Sequence, residues 1–455
     1  MKHLLVTCLC LLSFWTYAQT YSKGLVFDDE AYEKLEMKAP LTRGSYGSLP
    51  SSASLKMYCP SPGNQNPYGT CVGWATSYAA RTILWAKQNR QTDKAVITAH
   101  AFSPDFVYKG VVPYDNSCDN GTQVPLALAF MKTKGDVFKK DFPQSCPSSV
   151  PNSLMATAYT HKIDGFATLF GLNDPNTVKI EATKKSLSEG NPVAIGMRVP
   201  PSFDLLRGEL WTPTEHIFQS LGGHALCVIG YDDNKFGGAF EVLNSWGTLW
   251  GNSGYFWVKY NDYAYWTKYA FELINNMQPT PPIVVVNPPT PRPQPLPTPK
   301  PTQPTNDYDF SGDLRFVLAN GTPMNTTIEE IRGLFVPDND NPTPSPNPKP
   351  AANPTNFKPD PNWAIGKFIA YRMDRAYTEG TQFRLYLRNN EPAYVYALAM
   401  DNTNQAVVLF PYKPTISPAL NYKNNEVALP SETKYIQMDN VRGTDVFAYF
   451  IQNSP

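Results

Sequence analysis

The apolar residues of the first half of the chain follow a helical period early and a strand-like pattern later. Residues 71–88 predict a helix, with Ala75, Tyr78, Ala79, Thr82 and Ile83 at helical spacing. Residues 223–233, 239–247 and 254–260, which read GHALCVIGYDD, AFEVLNSWG and GYFWVKY, are instead typical of strands. A helix followed by such strands predicts an α+β domain with a late antiparallel sheet.

The second half of the chain is divided by proline. Residues 279–305 carry proline at nearly every second or third position, which predicts an extended polyproline II linker. A second biased stretch, residues 336–361, predicts a disordered loop. Alternating segments such as TQFRLYLRNN and AYVYALAMD predict strands. We therefore expect a first domain at residues 45–278 and a small all-β domain at residues 306–455.

The N-terminus has the layout of an export signal. Lys2 and His3 precede an apolar stretch that ends before Ala18, which predicts a secretory signal peptide at residues 1–18. A membrane anchor is the alternative, but the apolar run is shorter than the roughly 20 residues that span a bilayer. Residues 19–44 are then an N-terminal extension or a short pro-segment. The protein is expected to be secreted, into the periplasm or outside a bacterial cell.

Charge and composition exclude some classes of partner. The formal net charge is zero and no block of like charges occurs, so the sequence has no electrostatic footprint for nucleic acid or anionic lipid. No later segment could span a membrane, and neither a metal nor a cofactor is expected. Partners therefore have to be inferred from the chemistry of individual sites.

One cysteine occupies a position that favours a thiolate. Thr70 can serve as the N-cap of the predicted helix, which places Cys71 in the first turn, where free N–H groups and the helix dipole stabilise negative charge. A disulfide or a small buried side chain is the alternative for any cysteine of an exported protein. Without Cys8 and Cys10 of the signal, the cysteine count is odd, so at least one thiol is unpaired or intermolecular.

A histidine and an asparagine are placed to support such a thiol. His224 begins a predicted strand and Asn244 ends the next one. If the turn between them centres near Asn234, the two residues face each other across an antiparallel pair. Asn244 could then accept a hydrogen bond from one ring nitrogen and aim the other at the thiol. Chance polar pairs across strands are common, so this pair gains weight only in combination with Cys71.

Three sequence blocks resemble the signature segments of the papain-like cysteine peptidases. They read QNPYGTCVGWA at 65–75, GGHA at 222–225 and LNSWGTLWGNSGY at 243–255, in the family's order and with about 150 residues between cysteine and histidine. The resemblance covers roughly residues 45–275. It implies a two-lobed fold, in which a helical lobe carries the cysteine and a β lobe carries the histidine and the asparagine.

The resemblance also implies roles for individual residues. Cys71 would be the nucleophile, held as a thiolate by His224 as imidazolium. Asn244 would orient His224, and Trp246 would shield their hydrogen bond from water. Gln65 and the backbone N–H of the cysteine would bind the oxyanion of the tetrahedral intermediate.

A further segment, CDNG, is similar to the family's Cys-Asn-Gly-Gly segment. Gly121 would pair its backbone with an extended substrate peptide, which Asn120 and Gly223 would also contact. A plain turn is the alternative for this glycine. Cys118 and Cys146 look similar to cysteines of the family's left lobe, which implies a disulfide between them.

Two positions depart from the family's pattern. Val72 replaces the tryptophan that usually follows the nucleophile, and Tyr68 replaces a cysteine, so one family disulfide is absent. Cys59 and Cys227 stay unassigned, and Cys227 is expected to be a buried thiol because it lies in an apolar strand.

The function expected from the resemblance is a secreted cysteine endopeptidase that cleaves proteins or peptides through an acyl-enzyme. A transpeptidase or amidase with the same site, or a non-catalytic binding or adhesion protein, is the alternative.

The N-terminal extension is too short for the family's large helical pro-domain, so we expect a short inhibitory pro-segment or no zymogen control. Tyrosines on the C-terminal strands are expected to be exposed; they could bind a surface glycan or protein, or be ordinary sheet residues.

Overall fold

The computed structural model describes residues 21–42, 49–275, 312–329, 370–400, 406–441 and 445–452. The predicted signal peptide, the proline-rich linker and the loop at 336–361 lie outside these residues. The chain divides into two units, which are Met1–Gly312 with Arg388–Val427 and Thr444–Pro455, and Asp313–Leu387 with Ala428–Gly443.

The helices belong to the first unit. Helix α2, at residues 71–88, consists of Cys71–Gly73, a π-helical stretch Trp74–Arg81, and Thr82–Gln88. The others are α1 (Asp29–Glu33), α3 (Lys94–Ala99), α4 (Pro104–Val111), α5 (Val124–Thr133), α6 (Met155–Tyr159), α7 (Asn176–Ser188), α8 (Pro201–Asp204) and α9 (Tyr260–Trp266). No helix within the described ranges is long and apolar enough to cross a membrane.

The first unit also contains an eight-stranded sheet, here called the catalytic sheet. Its strands are β1 (Ser52–Ser54), β2 (Gly165–Thr168), β3 (Val193–Arg198), β4 (Leu210–Trp211), β5 (Gly223–Asp232), β6 (Ala239–Leu243), β7 (Tyr255–Lys259) and β8 (Thr267–Ile274). Their order is β2-β8-β3-β5-β6-β7-β4, and β1 pairs with β5. The predicted antiparallel pattern fails at one edge, where the two-residue strand β4 runs parallel to β7. A parallel pair needs a long connection, and β5 and β6 supply it.

Helix α2 is the central helix of the core and packs against β3 and β5. The predicted helix forms, but residues 71–84 are buried around the whole circumference and not along one stripe only. A helix of this kind belongs to a protein interior. Thr70 occupies the predicted N-cap position, but its hydroxyl makes no capping hydrogen bond, so that part of the prediction is wrong. Its backbone angles, φ −102° and ψ 18°, lie outside the extended region that a capping residue usually adopts.

The C-terminal part of the chain is built from strands, as predicted. They are β9 (Gly312–Leu318), β10 (Pro323–Met324), β11 (Thr326–Glu329), β12 (Ala370–Met373), β13 (Gln382–Asn389), β14 (Ala393–Met400), β15 (Ala406–Phe410), β16 (Ala419–Leu420), β17 (Asn425–Leu429), β18 (Ile436–Gln437) and β19 (Val446–Gln452). In the first unit, β14 pairs antiparallel with β15, β16 and β19. In the second unit, β9 pairs with β10, β11 with β12 and β13 with β18.

The tyrosines of these strands are less exposed than predicted. Tyr394 is buried, and Tyr386 and Tyr396 are half-buried. Tyr394 belongs to a small apolar cluster with Ala419 and with residues of the catalytic sheet. Tyr394 is therefore an ordinary sheet residue covered by packing, which is the alternative given above, whereas Tyr386 and Tyr396 keep part of their surface exposed. Binding of a glycan or protein by this part of the chain stays a prediction.

Candidate active site

Cys71 lies where helix α2 meets strand β5. It is the first residue of the helix and its side chain is fully buried. The backbone N–H of Ala225 donates to its Sγ at 3.4 Å. Since His224 and Ala225 are consecutive on β5, this bond holds the beginning of the strand against the N-terminus of the helix. The fold thus brings together two residues that are far apart in sequence.

His224 is held by Asn244. Its Nε2 lies 2.8 Å from Asn244 Oδ1, and the same oxygen accepts the backbone N–H of Ser245 at 2.8 Å. The Trp246 ring stacks on the imidazole with 4.5 Å between centroids and covers it. Within the described residues His224 Nδ1 has no hydrogen-bond partner, so this second nitrogen is available for a reaction at the thiol.

The hairpin that carries this pair differs from its prediction. The sequence predicts a turn centred near Asn234, but Asp232 pairs with Ala239, which places the centre between residues 235 and 236, and a bulge in β5 shifts the register again. His224 and Asn244 are therefore not directly opposite each other across the strands. Their side chains meet diagonally through the hydrogen bond.

Three hydrogen bonds hold the Gln65 side chain in place. Its Nε2 donates to the carbonyl oxygens of Tyr68 at 2.9 Å and Ser22 at 3.1 Å, and its Oε1 accepts from the Ser245 hydroxyl at 2.6 Å. Both hydrogens of the amide are therefore already used. The bond to Ser22 links the Gln65 side chain to the N-terminal extension, to which Ser22 belongs.

Residues 21–27 lie extended between the two walls of the cysteine site, and we call them the occluding segment. On one side, Leu25 N–H donates to Gly223 O at 3.2 Å. On the other side, Val26 N–H donates to Thr122 O at 3.0 Å and Thr122 N–H donates to Gly24 O at 2.8 Å. The segment pairs with the chain on both sides, as an added strand would.

The beginning of the occluding segment is anchored on the tryptophan of the site. Ser22 O accepts from Trp246 Nε1 at 3.1 Å, and the Tyr21 ring stacks on the same indole with 4.5 Å between centroids. Lys23 Nζ forms an ion pair with Asp204 at 2.8 Å. The segment thereby covers the side chains that a substrate would have to reach.

Of the three residues predicted to bind substrate, Gly121 and Gly223 contact the occluding segment and Asn120 does not. A Cβ on Gly121 would lie 2.3 Å from Gly24 O, so this glycine permits the close approach of the segment, and its φ of +69° also favours glycine. Gly223 accepts the bond from Leu25. Asn120 is exposed, and its backbone N–H donates to Asp115 and not to the segment.

Burial changes the protonation of both reactive groups. It raises the pKa of the Cys71 thiol to about 11, although backbone N–H groups, first among them that of Ala225, act in the opposite direction. Burial lowers the pKa of His224 to about 3, although the hydrogen bond that its Nε2 donates to Asn244 Oδ1 acts in the opposite direction. Burial therefore disfavours both the thiolate and the imidazolium while the occluding segment is in place.

Comparison with known families finds a match for most of the residues that form this site. Residues 64–271 match the family described as papain family cysteine protease. This domain belongs to the papain family. Residues 376–455 match a second family, described as a domain of unknown function, DUF4384.

Relatives of the papain-family domain come from several different organisms. An uncharacterized peptidase C1-like protein of Acanthamoeba polyphaga mimivirus is 27% identical over 208 residues, which are 43% of this chain and 63% of the relative. Cysteine proteinase 3 of Entamoeba histolytica is 26% identical over 144 residues, 31% of this chain and 44% of the relative. Among solved structures, xylellain, a cysteine protease from Xylella fastidiosa, aligns with a TM-score of 0.45 and 20% identity, over 56% of this chain and 96% of that chain. The chain thus spans less than two thirds of the length of the mimivirus and Entamoeba histolytica relatives.

A disulfide supports the cleft of the papain-family domain. Cys118 and Cys146 are bonded, with 2.08 Å between the sulfur atoms. The Cys118 carbonyl accepts the N–H of Gly69 at 2.7 Å, which connects this loop to the segment that precedes the reactive cysteine. Cys59 and Cys227 are free and buried, as expected for Cys227.

Some residues of the site were missed in the sequence. Thr122 follows the quoted CDNG segment and makes the backbone pairs expected of Gly121. Ser245 lies inside the third signature block and holds the Gln65 oxygen. Phe203 packs edge-on against His224 and Trp246, with centroid distances of 6.1 and 5.3 Å, and no motif of the sequence marks it.

Proposed function

We propose that this chain is a secreted cysteine peptidase that hydrolyses peptide bonds through an acyl-enzyme, with Cys71 as the nucleophile. The observation that carries the proposal is a cysteine at a helix N-terminus that is bonded to the residue after His224 on the adjoining strand, together with an asparagine bonded to that histidine. The family match supports the same chemistry.

The reaction begins when the occluding segment leaves the cleft. Cys71 then loses its burial, and its thiol proton passes to His224 Nδ1, which gives a thiolate and an imidazolium. The thiolate attacks the scissile carbonyl carbon. The oxyanion accepts hydrogen bonds from the backbone N–H of Cys71 and from Gln65 Nε2, which is released from Ser22 O.

Collapse of the tetrahedral intermediate breaks the C–N bond, and His224 transfers its proton to the departing amine. The product on the enzyme is a thioester at Cys71. A water molecule, deprotonated by His224, then attacks the thioester carbon and releases the carboxylic acid. The thiol recovers its proton and the site returns to its initial state. Asn244 keeps the imidazole in one orientation during both proton transfers.

The occluding segment serves as a short inhibitory pro-segment in this proposal. Its pairs with Thr122 and Gly223 use the backbone groups that line the cleft, and Ser22 O occupies a donor that the oxyanion needs. A substrate peptide cannot bind at the same time. Removal of the segment is therefore required for activity, and it restores access to a thiol that is otherwise fully buried.

Casein digestion by the full chain tests the proposal. Samples held at pH 4 to 7 are assayed for digestion while mass spectrometry follows the N-terminus. We expect digestion by the wild type, none by Cys71→Ala, and unchanged digestion by Cys59→Ala, which removes another buried free cysteine. Digestion by Cys71→Ala would contradict the proposal. Products joined to an added amine, in place of free acids, would indicate a transpeptidase.

A further inference from the structure

The N-terminal extension continues from the occluding segment to a second set of contacts at residues 36–42. One edge of this stretch pairs with the catalytic sheet at the end of β2. Thr168 N–H donates to Glu36 O at 2.9 Å, and Lys38 N–H donates to Thr168 O at 2.9 Å. The stretch is thus held to the papain-family domain through its backbone.

The other edge of the same stretch pairs with residues 415–426 of the C-terminal part, which we call the clamp. Met37 N–H donates to Thr415 O at 2.6 Å, and Ser417 N–H donates to Met37 O at 2.8 Å. Farther along, Thr42 N–H donates to Glu426 O at 2.9 Å. The N-terminal extension therefore lies between the catalytic sheet and the clamp and is bonded to both.

A buried carboxylate joins the three parts of the chain. Glu272 on β8 is fully buried and accepts a hydrogen bond from Ser186 at 2.6 Å. Its other oxygen forms an ion pair with Lys38 of the extension at 3.0 Å and accepts a hydrogen bond from Asn421 of the clamp. The Tyr422 ring of the clamp lies 3.3 Å from Lys38 Nζ and covers it. A buried charge is costly unless it is paired and hydrogen-bonded, so these contacts support one another.

Apolar contacts place the clamp on the edge of the catalytic sheet. Tyr394 on β14 and Ala419 within the clamp form a buried cluster with Ala167 of β2 and Ile274 of β8. These four residues come from the papain-family domain and from the C-terminal strands. The clamp is therefore seated by packing as well as by polar contacts.

The short stretch between the clamped residues and the occluding segment is also ordered. Helix α1 connects the two, and its Tyr32 is buried and donates from its hydroxyl to Phe170 O at 2.8 Å. If the clamp were released, residues 36–42 would keep their contacts with the catalytic sheet but lose those with the clamp. The end to which the occluding segment is tethered would then be held less firmly, which lowers the effective concentration of the segment at the cleft.

We propose that the C-terminal part of this chain is the retention element of the zymogen: residues 415–426 clamp the N-terminal extension and keep the occluding segment in the cleft. The C-terminal strands then control activation, and their partner is the chain's own N-terminal extension. The consequence for activity rests on the proposed function, whereas the retention itself can be measured without activity.

Hydrogen exchange on the full-length Cys71→Ala chain tests the retention. Tyr422→Leu removes the ring over Lys38. Tyr422→Phe is the matched control because it keeps the ring. It removes only the tyrosine hydroxyl, which has no hydrogen-bond partner among the described residues. Loss of a desolvated cation–π contact raises the equilibrium constant for opening about tenfold or more. We expect Tyr422→Leu to speed exchange about tenfold in residues 36–42 and also in residues 21–27, and Tyr422→Phe to leave both near wild type.

Two results would overturn the clamp. One is faster exchange at residues 36–42 with unchanged protection at residues 21–27, and the other is unchanged exchange in both. Protection of strand β5 shows whether the variants fold, and Lys38→Met probes the same contact from the other side. In a double variant, Lys38→Met and Tyr422→Leu should have less than their summed effect. If the exchange results agree but the active chain digests no casein, the proposed peptidase function fails and the clamp stands.

Discussion

A single methyl group on Gly24 should displace the occluding segment. A Cβ at this position would lie 1.7 Å from Gly69 O and 2.3 Å from Gly69 C. Both atoms belong to the backbone, so no change of rotamer can relieve the clash. Gly69 itself is held by its N–H bond to Cys118 O at 2.7 Å, beside the disulfide. We therefore expect Gly24→Ala to move the segment and leave the cleft wall in place.

The size of the effect follows from the backbone pairs that the segment loses. Leu25, Val26 and Gly24 make three hydrogen bonds to Gly223 and Thr122. At about 1 kcal/mol each, their loss destabilises the occluded state by about 3 kcal/mol. This free energy corresponds to about a hundredfold increase in the fraction of molecules with an open cleft.

Alkylation with iodoacetamide at pH 7, mapped by mass spectrometry, measures this fraction at Cys71. We expect labelling of Cys71 in Gly24→Ala to be about a hundredfold faster than in the wild type. Gly171→Ala is the matched control, since its Cβ would meet Asp174 at an ordinary 3.6 Å. Cys59 and Cys227 are buried thiols that report unfolding. Equal labelling of Cys71 in all three proteins, with both buried thiols protected, would show that the methyl group does not open the cleft.

Three further predictions concern the site and its support. In the activated enzyme, Gln65→Ala should lower kcat about 10²- to 10³-fold with a small change in KM, because one oxyanion donor is lost; steady-state kinetics checks this, and an equal kcat would exclude the role. In the Cys71→Ala chain, where no thiol can pass a proton to His224, acid should favour opening, because burial lowers the pKa of His224 in the occluded state to about 3, below its usual value near 6.5. The occluded state binds fewer protons, so its stability is present above about pH 6.5 and is lost as pH falls toward 3. Hydrogen exchange of residues 21–27, corrected for the intrinsic rate, should therefore be faster at pH 5 than at pH 7; no difference would contradict the assignment. Replacing Cys118 and Cys146 together by serine opens a bridge with a sequence separation of 28, which should lower the free energy of unfolding by about 3–4 kcal/mol in denaturant titrations. An unchanged midpoint would show that the bridge does not stabilise the fold.

The sequence predicted the elements of the papain-family domain because their patterns are local. Helical spacing after Cys71 and apolar runs after His224 have the periods of a helix and of strands, and both elements form. Local patterns do not determine tertiary details. Thr70 makes no cap because its backbone angles lie outside the extended region of capping residues, and the hairpin after His224 turns between residues 235 and 236 and carries a bulge in β5.

The occluding segment could not be derived from its own residues. Nothing in the sequence of residues 21–27 marks an inhibitor, because its pairing partners Thr122 and Gly223 are about 100 and 200 residues away. The same holds for the clamp, which meets residues that lie near the other end of the chain. Such contacts depend on the arrangement of whole elements in space, which no periodicity of the sequence records.

The role of Cys71 as a thiolate nucleophile is tested by the pH dependence of its alkylation in the Gly24→Ala chain, with the cleft open. We expect selective labelling that persists to about pH 5, because His224 then stabilises the thiolate, and loss of both labelling and casein digestion in Cys71→Ala. Labelling that begins only above about pH 8, near the pKa of an ordinary thiol, without digestion, would contradict it.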